Sequence, residues 1–493
     1  MKKILLLTLL SVSCCMFGVS LKKDDFTKGT LRGWVEQPYW GGKLKIVTID
    51  GKKYMELVST PKQGRVFGRS FAPMYSKELY FPTAKIRLEA KVKGKGKLQL
   101  GLLKYSFGSG VPAVSYSKAV ELTDDFQDYS FNFELDSVYE KVFPLINLEG
   151  EGKAVFASFE MHKDKDSKNT VNNVSPLQII SVDAKSAPVI FQTSLKNQDV
   201  FVSVISKKAV VNKVKADAAG KVVFPSEKFA PGMYHIFASA DGVGDKAYIY
   251  SMDAKTFART DALASKVKLD KKINVLILGD SLSDFYRGYN YVDKFSYWMN
   301  KYNPGKFTFH NAGVGGDFLE RAYNRMEYVL GLNKKWIYRQ EMYRGIFKDV
   351  YDYVFIFMGQ NDTRCMPKDN YSTPETTPEE QQKYLSLMLQ RLKEVCPKAK
   401  VVIIAPSPSD EALFDSYLAK GRKLPFYGRK KFVDAYDANN RKFCQENKLD
   451  YVNILTPMRE YKPLKALYVS DGVHLSDVGG DVIADCLLEY FGR

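Results

Sequence analysis

Apolar and polar residues alternate with period two through the first half of this 493-residue chain. Residues 43–49 (Lys-Leu-Lys-Ile-Val-Thr-Ile), 84–92, 97–103, 129–134 and 154–160 all show it, with turn residues between them, and this pattern predicts half-buried strands. With no convincing helical period among them, residues 21–166 are expected to form a β-sandwich. The polar stretch 163–176 has almost nothing to bury and reads as a linker. Shorter strands follow at 179–182, 189–191, 200–205, 222–224, 234–238 and 247–250, giving a second, smaller sandwich over 177–253. Residues 254–272 form a polar, helix-compatible connection.

From residue 271 the period changes. Apolar runs of strand length at 275–278, 308–311, 353–358, 401–404 and 451–455 alternate with helical patterns at 295–302, 319–332, 378–395, 432–447 and 479–491. Strand and helix in turn predict a three-layer α/β domain over 271–493 with a five-stranded parallel sheet. The helix at 378–395 carries its own start signals: Thr377 as cap, Pro378 in the first turn, Glu379 and Glu380 at the positive end.

The N-terminus departs from both patterns. Lys2 and Lys3 precede an apolar run at 4–10 and then the small residues Ser11, Ser13 and Ser20, the pattern of a signal peptide over 1–20. Cys14 and Cys15 follow the apolar core, and Val12-Ser13-Cys14-Cys15 resembles a lipoprotein box with Cys in place of its small third residue. Export is therefore expected, either as a secreted or periplasmic protein or lipid-anchored to the cell surface. No later segment reaches transmembrane length.

Composition adds two limits. Cys365, Cys396, Cys444 and Cys486 lack paired Cys-x-x-Cys spacing, which disfavours a zinc site, and at most one disulfide is expected among them. The net charge of +17, or +15 without Lys2 and Lys3, allows an acidic polyanion as partner. The lysines are scattered singly along strands, as at Lys85, Lys91, Lys93, Lys95 and Lys97, so a solvated sheet face accounts for most of them. Such a polyanion is nucleic acid, anionic lipid or acidic polysaccharide; export argues against nucleic acid, and an acidic glycan is one of the partners left open.

The chemistry concentrates in four blocks. Residues 273–284 read Ile-Asn-Val-Leu-Ile-Leu-Gly-Asp-Ser-Leu-Ser-Asp, a buried strand stopped by Gly279 with Ser281 on the turn beyond it, where a parallel sheet faces its ligands. The later blocks are 311–317 (Asn-Ala-Gly-Val-Gly-Gly-Asp), 358–362 (Met-Gly-Gln-Asn-Asp) and 471–474 (Asp-Gly-Val-His). Each alone is ordinary turn chemistry. Acyl transfer by a serine needs a base, something to orient the base, and donors for the oxyanion. His162, His235 and His310 sit in strands or at their edges. His474 has Asp471 three residues earlier on a Gly-containing turn, near enough for the carboxylate to hold one imidazole tautomer.

In order and composition the four blocks resemble the SGNH (GDSL-type) hydrolase family, over roughly residues 273–493. The resemblance implies a Ser281, His474, Asp471 triad without metal or organic cofactor. It implies oxyanion donors at the backbone amides of Ser281 and Gly316 and the side-chain amide of Asn361, with Asp280, Asp317 and Asp362 fixing turns. The implied reaction is ester hydrolysis through an acyl-enzyme.

The two leading modules bear on the substrate. The first resembles in size and pattern the jelly-roll modules that accompany carbohydrate-active enzymes, and the second is Ig-like, a spacer. Trp34, Tyr39 and Trp40 cluster near the start of the first, where Trp34 and Trp40 are candidates for stacking on sugar rings, although core packing is the commoner fate of such residues. Tethered modules favour a polymeric glycan, hence O-deacetylation of a polysaccharide. The aromatic and basic insert 333–344 points instead to a lipase or lysophospholipase at a membrane surface. A glycan-binding adhesin without catalysis is the alternative of another class.

Overall fold

The computed structural model describes residues 19–31, 33–36, 40–60, 63–68, 79–106, 112–163, 168–206 and 209–493. Residues 1–18, with Cys14 and Cys15, and Tyr39 lie outside them. The chain divides into two compact units: one contains the residues up to Ser175 with Pro188–Ser226 and Tyr234–Ala247, the other Pro176–Ala187, Glu227–Met233 and Tyr248–Arg493. Among the described residues no helix is long and apolar enough to cross a membrane.

The first unit is built on two long antiparallel strands, Lys85–Ser106 and Tyr139–Lys163, paired from Tyr139 opposite Ser106 to Lys163 opposite Ile86. The period-two pattern explains the buried face: Ile86, Leu88, Val92, Leu98, Leu100 and Leu102 all point into one core. Sequence reading separates 84–92 from 97–103, but the structure runs one strand through both. Gly94, at φ +145°, lies so close to the Lys153 backbone that no Cβ fits, and the register shifts there between Glu149 and Lys153. Gly94 thus marks an irregularity within the strand instead of its end. Shorter strands hang on this pair, including Gln127–Glu134, Lys52–Ser59 and Gln63–Gly68.

Trp34 has the commoner fate of such residues and packs in a core. Only 8% exposed, it meets Phe159 edge-on at 5.3 Å and donates its indole N–H to Asp24 Oδ2 at 3.1 Å, so it has no open face to offer a sugar. Trp40 is half-buried and packs edge-on against Phe67 at 5.8 Å. Part of the expected linker is also ordered as a strand: Val171–Asn173 pairs with the Val189–Thr193 strand, buries Val171, and gives the Asn173 amide to Asp245 Oδ2 at 2.7 Å. In the same unit Asp199–Ile205 and Ala209–Lys215 form a hairpin, and Gly232–Ala240 pairs with the former through residues 235–239.

The second unit contains a five-stranded sheet in the order Phe307–Asn311, Ile273–Gly279, Tyr353–Phe357, Lys400–Ile404, Asp450–Val452, with every pairing parallel. Alternation along the strands sorts side chains to two faces. Val275, Ile277, Phe355 and Phe357 join the core under helices Tyr291–Tyr302 and Asp477–Phe491. Leu276, Leu278, Val354 and Ile356 join the core under Leu319–Val329 and Pro378–Val395. The last of these helices starts as its sequence predicts, with a capping box between Thr377 and Glu380 and Pro378 in its first turn.

The connection 254–272 is part of this unit's core. It forms helix Ala254–Lys266, capped by Asp253, and buries Ala264 and Val267 completely. Just before it, Gln178–Ser181 runs parallel to Ile249, Tyr250, Ser251 and Met252. The Tyr250 hydroxyl donates to Asp481 Oδ2 at 2.6 Å, and the other oxygen of that buried carboxylate accepts from Lys294 Nζ at 2.9 Å. Cys365, Cys396, Cys444 and Cys486 are buried and free.

Candidate active site

The first strand of the sheet to be made, Ile273–Gly279, leads into a single helical turn, Ser281–Asp284. Asp280 caps that turn, its Oδ1 accepting the Leu282 amide at 2.9 Å. The Phe285 amide closes it on the Ser281 carbonyl at 2.9 Å. Ser281 thus stands at the carboxyl end of the sheet, 6% exposed, on backbone fixed from both sides. Asn311 braces the neighbouring loop: its Nδ2 donates to the Ser283 carbonyl at 2.7 Å and its Oδ1 accepts the Gly313 amide at 3.0 Å. A Cβ on Gly313 would lie 2.6 Å from the Ser283 Cβ, so only glycine lets the two loops close.

Asp471 and His474 meet. His474 Nδ1 and Asp471 Oδ2 are 2.6 Å apart, while Asp471 Oδ1 accepts the amides of Val473 and His474, both at 2.9 Å. Gly472, at φ +72°, makes the turn that allows this. Burial opposes the Asp471 charge, but the imidazole and the two amides outweigh it and hold the carboxyl below its ordinary range. The imidazole also packs edge-on against Phe285, centroids 4.4 Å apart. Its ring therefore lies on the residue that closes the Ser281 turn.

The remaining expected residues collect around the same strand ends. Gly316 is left-handed at φ +80°, its carbonyl held by Arg321 Nη1 at 3.0 Å. Asn361 is buried and donates Nδ2 to the Asp317 carbonyl at 2.9 Å. Of the three aspartates in these blocks, Asp280 and Asp362 fix backbone. Asp362 accepts the Leu319 amide at 3.0 Å and the Thr376 hydroxyl at 2.9 Å, and Asp317 is gripped by both terminal nitrogens of the buried Arg325. Burial, with Asp317 and Asp362 nearby, pushes the Asp280 carboxyl up to about 8, and burial pushes Asp362 to about 6.

Sequence reading missed the arginines that lock the site. Asp284, at the end of the serine's turn, accepts the Gly315 amide at 3.0 Å and pairs with Arg287 at 3.1 Å and with Arg339. Arg287 also donates to the carbonyls of Asn311 and Gly313, at 2.5 and 2.7 Å. The signal available was the pair Asp284 and Arg287, opposite charges three residues apart.

The other histidines have different settings. Burial holds His310 below its ordinary value and pushes His235 down to about 3. His162 Nε2 lies 3.1 Å from Glu89, and with Glu160 these make a ligand-like group in the first unit. Its carboxylates already pair with Lys23 and Arg87.

A serine, an imidazole held by a carboxylate, and a buried amide side chain are thus gathered in an α/β domain with a parallel sheet. Residues 277–482 match the model of the GDSL-like Lipase/Acylhydrolase family. An Arabidopsis thaliana GDSL esterase/lipase is 30% identical over 140 residues, 26% of this chain. The chain spans about half the length of that relative, 55%. Among solved structures, a lipase/acylhydrolase from Enterococcus faecalis matches at 17% identity and a TM-score of 0.33, covering 45% of this chain and 95% of its own. One described as a GDSL-like lipase from Parabacteroides merdae matches at 18% identity and a TM-score of 0.36, covering 46% and 99%.

Proposed function

We propose that this protein is an exported serine esterase that removes O-acyl groups, O-acetyl above all, from a polysaccharide. The observation that carries the reading is the 2.6 Å contact between His474 Nδ1 and Asp471, with the imidazole packed on the turn that presents Ser281. With Nδ1–H committed to the carboxylate, Nε2 is the basic nitrogen and takes the Ser281 proton. Ser281 Oγ then attacks the ester carbonyl. The amides of Ser281 and Gly316 and the Asn361 side chain receive the oxyanion, and the alcohol leaves with the proton from His474. Water, activated by the same imidazole, releases the acid from the acyl-enzyme.

A β-rich first unit ahead of the hydrolase part supports a polymeric substrate, because a tethered module raises local polymer concentration. The exposed Leu332 and Trp336 at the insert favour a second reading, a lipase or lysophospholipase.

The test is a pair of measurements. Ser281→Ala is expected to lower turnover of a small acetyl ester at least about a thousandfold with the fold intact. Wild-type-like turnover in that variant ends the serine mechanism. Acetate released from acetylated xylan, compared with fatty acid released from phospholipid micelles, separates the two substrate readings. A chain that hydrolyses no ester would be a binding protein.

A further inference from the structure

The insert 333–344 is fastened to the candidate site at two points. Arg339, left-handed at φ 53°, reaches Asp284, the last residue of the serine's turn, and a Cβ on Gly315 would lie 3.9 Å from its Nη1. Arg325, fully buried and forked on Asp317, turns Nη2 to the Tyr338 carbonyl at 2.8 Å. Residues 338 and 339 are thus held to the neighbours of Gly316 on one side and to the Ser281 turn on the other. Just beyond, the buried Tyr343 lies under the Arg325 guanidinium at 5.2 Å. This loop is clamped.

Three residues before the Arg339 clasp, Trp336 is 68% exposed, and Tyr338 is 42% exposed. Tyr286, also 42% exposed, follows Phe285, the ring that packs on His474. Leaving an indole in water on a rigid backbone forfeits burial that the fold could have used.

We propose that Trp336, supported by Tyr338 and Tyr286, is a platform beside the catalytic serine on which pyranose rings of the ester-bearing glycan stack; this rests on the polysaccharide esterase reading. Aromatic faces suit the C–H-rich faces of sugar rings, and Tyr and Trp carry a polar edge for the hydroxyls. The polar character of the insert favours a glycan over a bilayer. The exposed Lys334 and Lys335 immediately precede Trp336 and the exposed Arg344 follows it, and these charges give a hydrated surface with isolated rings in place of a continuous aliphatic face. The same charges suit an acidic polysaccharide.

Binding is measured apart from chemistry by electrophoresis in native gels containing acetylated xylan or acetylated pectin. Three proteins are compared: Ser281→Ala, the same with Trp336→Ala, and the same with Trp336→Phe. Retardation of the first in one of the gels is expected, weakened about tenfold by Trp336→Ala and largely restored by Trp336→Phe. In the chain with Ser281 intact, Trp336→Ala is expected to raise KM on the retarding polymer by a similar factor while 4-nitrophenyl acetate turnover stays unchanged. Equal retardation with and without the indole overturns the platform, as does no retardation in either gel. So does a loss confined to phosphatidylglycerol vesicles, which would make the insert a lipid-docking loop. Failure of the esterase reading looks different: neither ester is hydrolysed, whereas the gels still respond to Trp336.

Discussion

Replacing Asp471 with Asn tests the orientation of the base with the least disturbance to the fold. In the native chain Oδ1 already holds the turn through two amides at 2.9 Å, and only Oδ2 faces the imidazole, at 2.6 Å. Asn keeps an oxygen for the two amides. It replaces the imidazole's acceptor with an N–H donor, so Nδ1 must become the acceptor and the ring proton moves to Nε2, the nitrogen that has to receive the serine proton. Turnover of a small acetyl ester is expected to fall about 10⁴-fold, about 5 kcal/mol of barrier. Because the turn survives and this carboxylate is partly in water, the stability loss stays near about 1 kcal/mol. The native carboxyl is held below its ordinary range, so its contribution to stability is present above that range and disappears as pH falls through the folded value; the Asn variant lacks this acid-dependent loss. Steady-state kinetics and thermal melts of the two proteins, each across pH, provide the measurement. A variant that keeps a tenth or more of the turnover refutes the assignment of Asp471, and one that unfolds refutes the argument about the turn.

Two further predictions concern buried carboxylates. Asp280, with its carboxyl pushed up to about 8, keeps its proton in the folded state between about pH 4 and 8 where the unfolded chain has released it, so stability falls as pH rises across that window. Asp280→Asn is expected to flatten that part of the melting temperature against pH, and parallel curves for the two proteins would count against it. Tyr250→Phe removes the hydroxyl that donates to Asp481 and leaves a buried carboxylate oxygen unpaired, at a cost of about 1–3 kcal/mol in urea unfolding with small-ester turnover unchanged. A change below about 0.5 kcal/mol would show that water replaces the hydroxyl there.

Much of the hydrolase part was legible in the chain because its signals are local. Continuous apolar runs such as 275–278 and 353–358 have apolar residues on both faces, which is what a strand covered by helices on both sides requires, and Thr377, Pro378 and Glu380 specify a helix start within four residues. The spacing of Asp471, Gly472 and His474 likewise brings its two members within reach, since a turn of that length lets the carboxylate fold back on the ring. Strand positions in the first unit were readable for the same reason.

Burial and ion pairing were not, because they depend on residues far away in the sequence. Whether Trp34 faces a sugar or a core was decided by Phe159, 125 positions later, and whether Gly94 ends a strand or marks an irregularity within it by the Lys153 backbone opposite. The 254–272 connection looks polar along its length, yet two of its apolar side chains, Ala264 and Val267, are fully buried once the helices of the second unit surround them. Arg339 is one basic residue among several until the fold brings it to Asp284, 55 positions away, and the buried charge of Asp317 is tolerable only because Arg325 arrives with two hydrogen bonds. A sequence specifies which side chains can make such pairs, but desolvation makes each pair favourable only when both members are enclosed together, and that enclosure exists only in the folded chain.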